Sequence, residues 1–410
     1  MKAIRIGLVV MAAAMITFGL GGTALAFHSG GVAHCDGCHT MHGSQDGAVM
    51  NRGNTSAAIT VGNVTTPSLL MGSDPSSVCL NCHIGNGSYH IASADNTLVN
   101  YNAGGDFTWL TNTYSYLVRG NPVTGGGEGV GHNIISGDYG YQADATLSVA
   151  PGGTFPAGQL YCTSCHDPHG RVRSQLGTPV SAPISGSGSY GDPVPTDGSI
   201  LGNYRLLGDS QYTPSIGSNS VYTGFDADAP IATASNTGFY GSSVDYGSGM
   251  SNWCKNCHWK TPGVMHHVDE NANLVSSGYA ENYNKYVATG DLTGDPTGAE
   301  GSGSYDGLVP IERGVTIGAD LDPSSTAGAS GNSHVMCLTC HRAHASAYDN
   351  IGRWDFGAEL LTETGLLDPS VTTSLADHNA GTYKNGASVD IATAYSPYQR
   401  SLCNKCHVND

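Results

Sequence analysis

The chain has 410 residues, of which 58 are Gly and only 12% are charged, with 16 Lys and Arg set against 33 Asp and Glu. Glycine on this scale carries a large backbone entropy cost on folding, and 7 Phe with few long aliphatic stretches offer little ordinary core to offset it. The formal net charge of −17 and the lack of a Lys/Arg cluster exclude nucleic acid as a partner; an acidic chain suits basic proteins, cations or mineral surfaces.

At the N-terminus Lys2 and Arg5 precede an apolar run from Ile6 to Leu20, followed by Ala24-Leu25-Ala26. This pattern predicts a cleaved signal peptide over 1–26 and a mature chain that starts at Phe27. A retained anchor is the competing reading, but the run is short for a span and a cleavage site follows it. No later segment is apolar enough to cross a bilayer, so the expectation is a secreted chain with no membrane span. Removal of 1–26 leaves 14 basic and 33 acidic residues, a net charge of −19.

All 12 cysteines fall in six copies of C-x-x-C-H. In chain order these are Cys35/Cys38/His39, Cys79/Cys82/His83, Cys162/Cys165/His166, Cys254/Cys257/His258, Cys337/Cys340/His341 and Cys403/Cys406/His407. The spacing is that of c-type haem attachment. Two thiols add to the two vinyl groups of one porphyrin edge, and the adjacent His is held under the iron as its proximal ligand. Zinc knuckles need four ligands per metal and do not demand His after every pair. Disulfides give no reason for six equal spacings, and a thioredoxin-like pair occurs once, in a βαβ setting. The expected cofactors are therefore six haem c groups.

Each iron has a second axial position. Of 17 His, 11 are not proximal, which is enough to give every haem two imidazoles, so the 9 Met are read as packing. His42, His169 and His344 each follow a proximal His by three residues, in motifs 1, 3 and 5. A side chain there lies on the proximal side of its own haem and can reach only the far face of a neighbouring one. This alternation suggests haems arranged as three successive pairs. The other distal candidates are His28, His90, His132 and His267, which makes seven candidates for six positions. The roles of His34, His266, His334 and His378 stay open.

The predicted fold is mostly irregular coil with short helices and little β-structure, one haem-scaffolded unit over 27–410. Short helices are expected at the C-x-x-C-H turns, at Asn282–Ala288 and at Trp354–Glu363. The Gly/Ser/Asp-rich stretches 181–222, 226–251 and 290–333 read as loops. The 21 Tyr can pack rings on porphyrin and keep their hydroxyls wet.

The start Phe27-His28-Ser29-Gly30-Gly31-Val32-Ala33-His34 runs straight into C-x-x-C-H-T-M-H. With Cys-His-Asp-Pro-His-Gly at 165–170, Cys-His-Arg-Ala-His-Ala-Ser at 340–346 and Pro397-Tyr398-Gln399-Arg400 before motif 6, the chain resembles the OmcS-type extracellular hexahaem cytochromes over essentially its whole mature length. That resemblance implies a polymer of subunits, a cytochrome nanowire, with which metal-reducing bacteria export electrons through haems that all carry two His. It implies that His42 ligates haem 5 of the next subunit, and that His28, His90, His132, His169, His267 and His344 are family ligands. The implied partners are further copies of the chain, other outer-surface or periplasmic cytochromes, and extracellular acceptors such as metal oxides. The implied location is the cell surface or beyond, reached through the periplasm. A monomeric periplasmic or extracellular shuttle is the alternative. A multihaem reductase fits less well, because such enzymes keep one haem face open, often on C-x-x-C-K, and no such motif occurs.

Overall fold

The computed structural model describes residues 35–40, 42, 44–45, 48–49, 59–61, 64–66, 69–85, 91–92, 104–118, 121–168, 174–175, 178–179, 206–208, 210, 212–214, 222–234, 244–258, 268, 273–288, 310–315, 320–321, 328–353, 356, 366–367 and 406–407. The signal segment 1–26 lies outside them. Among the described residues no helix is long and apolar enough to cross a membrane.

Among the described residues the helices are few and short. They are α1 (Cys35–Cys38), α2 (Pro75–His83), α3 (Met250–Cys254), α4 (Ala280–Ala288) and α5 (Cys337–Cys340). Four of the five belong to attachment motifs, and motif 3 forms a 3-10 turn at Cys162–Ser164. α2 forms because Asp74 caps it, accepting from Ser77 N at 2.8 Å, with Pro75 pre-set at the first turn. It stops at Ile84, whose backbone is extended. α4 contains the helix expected at Asn282–Ala288 and starts two residues earlier. The helix expected at Trp354–Glu363 lies outside the described residues apart from Phe356, which sits in a turn.

Strands are equally short: β1 (Ser44–Gln45) with β2 (Ala48–Val49), β3 (Ile59–Val61) with β4 (Val64–Thr66), β7 (Ser174–Gln175) with β8 (Thr178–Pro179), and β9 (Ala232–Ala234) with β10 (Val244–Tyr246). The longest is the hairpin of β5 (Thr113–Val118) and β6 (Asn121–Gly126), extended by β11 (Leu366–Leu367). The β9–β10 pair and the start of α3 lie inside 226–251, so that stretch is not all loop. Val244 and Tyr246 are the apolar residues of β10 that make it a strand; Tyr246 is buried, while Val244 packs half-buried against the same core.

Burial is local rather than central. Leu80, Phe107, Trp109, Ile134, Tyr283 and Tyr348 form the largest apolar cluster, between the segments of motifs 2, 3 and 5. Tyr246, Met250, Met336 and Leu338 form a second between motifs 4 and 5. Phe155, Tyr212, Tyr222 and Phe225 form a third against Trp253 and Cys257. Each cluster sits behind an attachment turn, so apolar burial goes into fixing the turns. The mostly irregular, scaffolded fold expected from composition is the fold observed.

Candidate functional site

Motifs 2 to 5 are described in full. Cys403 and the side chain of Cys35 lie outside the described residues, as do His28, His34, His90, His169, His266, His267 and His378. In motifs 3, 4 and 5 the proximal His N–H donates to the first Cys carbonyl at 3.0 Å, closing one helical turn. That turn puts the two thiols (i, i+3) and the His (i+4) on one face, which is why the spacing is fixed.

The motifs meet pairwise. Ser76, three residues before Cys79, accepts from Cys162 N at 3.0 Å. Ser251, three residues before Cys254, accepts from Cys337 N at 3.1 Å. The first thiols of the paired motifs therefore touch. A hydrogen bond between Cys79 and Cys162 pushes the Cys79 thiol up and pulls the Cys162 thiol down. The bond from Cys254 likewise draws Cys337 down to about 7 and pushes Cys254 up. This grouping joins motif 2 with 3 and motif 4 with 5, one step out of phase with the alternation of the extra His.

The haem-attaching thiols expected from the motifs are placed alike but for one: among the ten cysteines with described side chains Cys82 is exposed, and the other nine, Cys406 included, are half-buried. Cys82 is exposed in the last turn of α2. The buried residues of that helix are Ser76, Ser77, Val78 and Leu80, and Cys82 with Asn81 lies on its open side. Cys406 is half-buried at the margin of the largest apolar cluster, and its carbonyl accepts from Asn282 Nδ2 of α4 at 3.1 Å. Its motif is tied to α4 by the backbone, whereas motifs 2 to 5 are tied to one another. Ten cysteines have described side chains, Cys82 and Cys406 among them, and none of the ten is in a disulfide.

The imidazoles also come together. His132 Nε2 lies 3.5 Å from His258 Nε2, with ring planes at 53°. The His344 and His166 rings have centroids 6.3 Å apart at 54°. In both pairs a distal candidate faces a proximal His from a distant segment. The His three residues after motif 5 thus meets motif 3, and His132 meets motif 4.

Protonation follows from the other ring nitrogen. His132 Nδ1 is 2.7 Å from Ala343 O, and His341 Nδ1 is 2.7 Å from Asn350 O. His258 Nδ1 is 3.3 Å from Pro151 O, and His344 Nδ1 is 3.4 Å from Gly105 O. A carbonyl only accepts, so each Nδ1 is the donor and each Nε2 carries a bare lone pair. Burial reinforces this neutral form: it pushes His132 down to about 4 and His344 to about 3, with the facing imidazoles His258 and His166 adding to the effect. Two lone pairs facing across 3.5 Å cannot hydrogen-bond to each other. They suit a cation between them, for which two metal–imidazole bonds of ~2.0–2.1 Å need the nitrogens about 4 Å apart. The residues therefore fit iron ligated by two imidazoles.

His42 differs: it is exposed, and Thr40 Oγ1 donates to its carbonyl at 2.7 Å. His407 carries the Tyr279 ring edge-on at 4.8 Å, and His341 the Phe356 ring at 5.6 Å. His334 is half-buried, and its backbone pairs with Glu312. Behind motif 5 lie two buried cations, Arg342 and Arg353. Arg353 Nε donates to Leu338 O at 2.6 Å, and burial lowers both guanidinium groups, Arg353 to about 10. Glu312, also buried, accepts from Gly249 N and Ser251 N at 3.1 and 3.3 Å at the start of α3. Sequence reasoning missed the arginines, Glu312 and the two serines; only Ser-x-x-Cys, shared by motifs 2 and 4, was a visible signal.

Paired thiols beside paired, neutral, carbonyl-oriented imidazoles define a multihaem c-type cytochrome. No family model matches the chain. It is 40% identical to the C-type cytochrome OmcS of Geobacter sulfurreducens, over the whole of both chains. It also matches a solved structure described as the cryo-EM of the OmcS nanowires from that organism, with a TM-score of 0.65 and 38% identity over 93% of this chain and 100% of that one. A second, described as the outer membrane cytochrome S filament of that organism, matches at 36% identity, the same TM-score and the same coverage. The chain belongs to the OmcS family of c-type cytochromes.

Proposed function

We propose that the chain carries six haem c groups, one on each C-x-x-C-H, and passes electrons along them as a subunit of an extracellular filament. The observation that carries this reading is the facing of His132 on His258 and of His344 on His166, each through a bare or carbonyl-oriented imidazole. In these roles His258 and His166 are proximal ligands, and His132 and His344 complete the irons of motifs 4 and 3. The cysteines of all six motifs form the thioethers, the exposed Cys82 and the half-buried Cys406 included, and His39, His83, His341 and His407 are the other proximal ligands. His28, His90, His169 and His267 are the candidates within the chain for the three distal positions left, on the irons of motifs 1, 2 and 6, so one of the four is spare.

His42 is the ligand given to the iron of motif 5 in the next subunit. Its exposure supports this, since a ligand donated in trans must reach beyond its own chain. A heterologous contact of this kind that does not close generates a filament. Arg342 and Arg353, buried beside motif 5, bring positive charge next to an attachment turn, which suits the negative propionates of a haem there. With both axial positions filled the irons have no open site for substrate, so the protein conducts electrons and does not catalyse. The haems accept electrons from other surface or periplasmic cytochromes and deliver them to external acceptors such as metal oxides. Residues 27–410 form one unit, exported through the periplasm after loss of 1–26.

Negative-stain microscopy of the purified native protein beside a His42→Ala variant tests the assembly. Filaments in the native sample and none in the variant are expected. Filaments in both discard His42 as the link, and monomers in both point to a shuttle.

A further inference from the structure

Three backbone segments lie side by side behind the imidazoles of motifs 3 and 4. Ala343 N and His344 N both donate to Gly104 O, at 3.0 and 2.7 Å, and Asp106 N donates back to Ala345 O at 3.2 Å. On the other side His132 N donates to His344 O at 2.8 Å, and Ser346 N to Val130 O at 2.9 Å. Two carbonyls of this layer receive ligand imidazoles: Ala343 O takes His132 Nδ1–H at 2.7 Å and Gly105 O takes His344 Nδ1–H at 3.4 Å. The Phe107 ring stacks on His344 at 4.8 Å and 27°.

Gly105 is where the layer admits no side chain. Its φ is +94°, and a methyl group there would overlap the Ala345 carbonyl oxygen. Any other residue must part 104–106 from 343–346. That separation carries Gly105 O away from the His344 Nδ1–H, while the Ala343 O acceptor of His132 stays with the segment that His132 is bonded to. A ligand imidazole that loses its carbonyl acceptor loses its fixed ring plane, its tautomer and part of its basicity.

We infer that Gly105 is a positioning residue for one redox centre: by letting 104–106 seat on 343–346, it sets the hydrogen bond that holds His344 to its iron. This rests on the ligand role proposed above for His344. His344 is the ligand that lets go, so the iron of motif 3 opens and that of motif 4 stays closed.

The test is carbon monoxide uptake by the reduced, haem-loaded protein, read at the Soret band and counted per chain, with the low-spin ferric resonance signals as a second readout. Native protein and Gly140→Ala take up none; Gly140 also has positive φ, +78°, but open space, so that variant controls for backbone strain alone. His344→Ala takes one carbon monoxide per chain. Gly105→Ala retains six haems and takes one as well, with His344 about 10- to 100-fold more easily displaced. Uptake by His344→Ala but not by Gly105→Ala overturns the positioning role. No uptake by His344→Ala overturns the ligand assignment instead. If Gly105→Ala fails to load six haems, Gly131→Ala decides, since its methyl presses on the Ala345 and Leu110 side chains across the same layer. Uptake above native then supports the role, and none overturns it.

Discussion

At the junction of motifs 2 and 3, Ser76 holds the first cysteine of the next motif; at the junction of motifs 4 and 5, Ser251 does the same. The helices that carry these serines are anchored differently. α2 is capped by its own neighbour, Asp74, which accepts from Ser77 N, Ser77 Oγ, Ser73 Oγ and Gly137 N at 2.7–3.0 Å. α3 begins at Gly249 with no cap from its own side chains, and Glu312, more than 60 residues on, supplies the carboxylate. The same geometry is thus reached once by a local signal and once by a long-range one. The long-range version ties the motif 4 helix to the backbone of His334, just before motif 5.

Removing the two carboxylates is the harshest way to break this likeness. Asp74→Ala is expected to cost about 2–3 kcal/mol and Glu312→Ala about 1–2, because the Glu312 bonds are longer and fewer. Thermal unfolding of the haem-loaded protein measures both; an equal or reversed order would show that the remote cap is the stronger. Next come the serines: Ser76→Ala and Ser251→Ala are each expected to cost about 1 kcal/mol, and equally, since the two bonds differ by only 0.1 Å. The smallest effect is in pH dependence. Burial raises Glu312 above its ordinary value near 4.5, against the pull of its peptide N–H partners. The folded state then holds that proton more tightly than the unfolded chain. Its contribution is therefore present at low pH and declines as pH rises from about 4.5 through the raised value. Glu312→Gln should flatten that decline, as unfolding curves across this range will register.

This contrast also marks what could be read from the residues alone. Asn282–Ala288 has a helical pattern and was legible, whereas Asp74-Pro75, a local cap signal ahead of motif 2, went unread. The six motifs were legible because attachment chemistry fixes their spacing. Their surroundings were not: the same spacing leaves Cys82 exposed and the other nine described cysteines half-buried, because burial depends on what packs against each turn. Glu312 was hidden too, because nothing near residue 312 announces a helix that starts at 250. The carbonyls of Ala343, Asn350, Pro151 and Gly105 leave no trace in side-chain identity, although they set the tautomer of four histidines. Asn350 and Ile351 both sit at φ +57°, a conformation disfavoured for isoleucine above all, and no local pattern hints at it. The β5–β6 hairpin was missed although Thr-Tyr-Ser-Tyr-Leu-Val is strand-forming. The phase of motif pairing, 2 with 3 and 4 with 5, required the contacts of Ser76 and Ser251.

The most direct measurement is a cryo-EM structure of the assembled, haem-loaded protein, resolved well enough to trace each iron's two axial ligands. The account predicts His132 opposite His258, His344 opposite His166, and His42 of one subunit on the motif 5 iron of the next. An iron of motif 3 or 4 with an open face, or with any other side chain in that position, would contradict it.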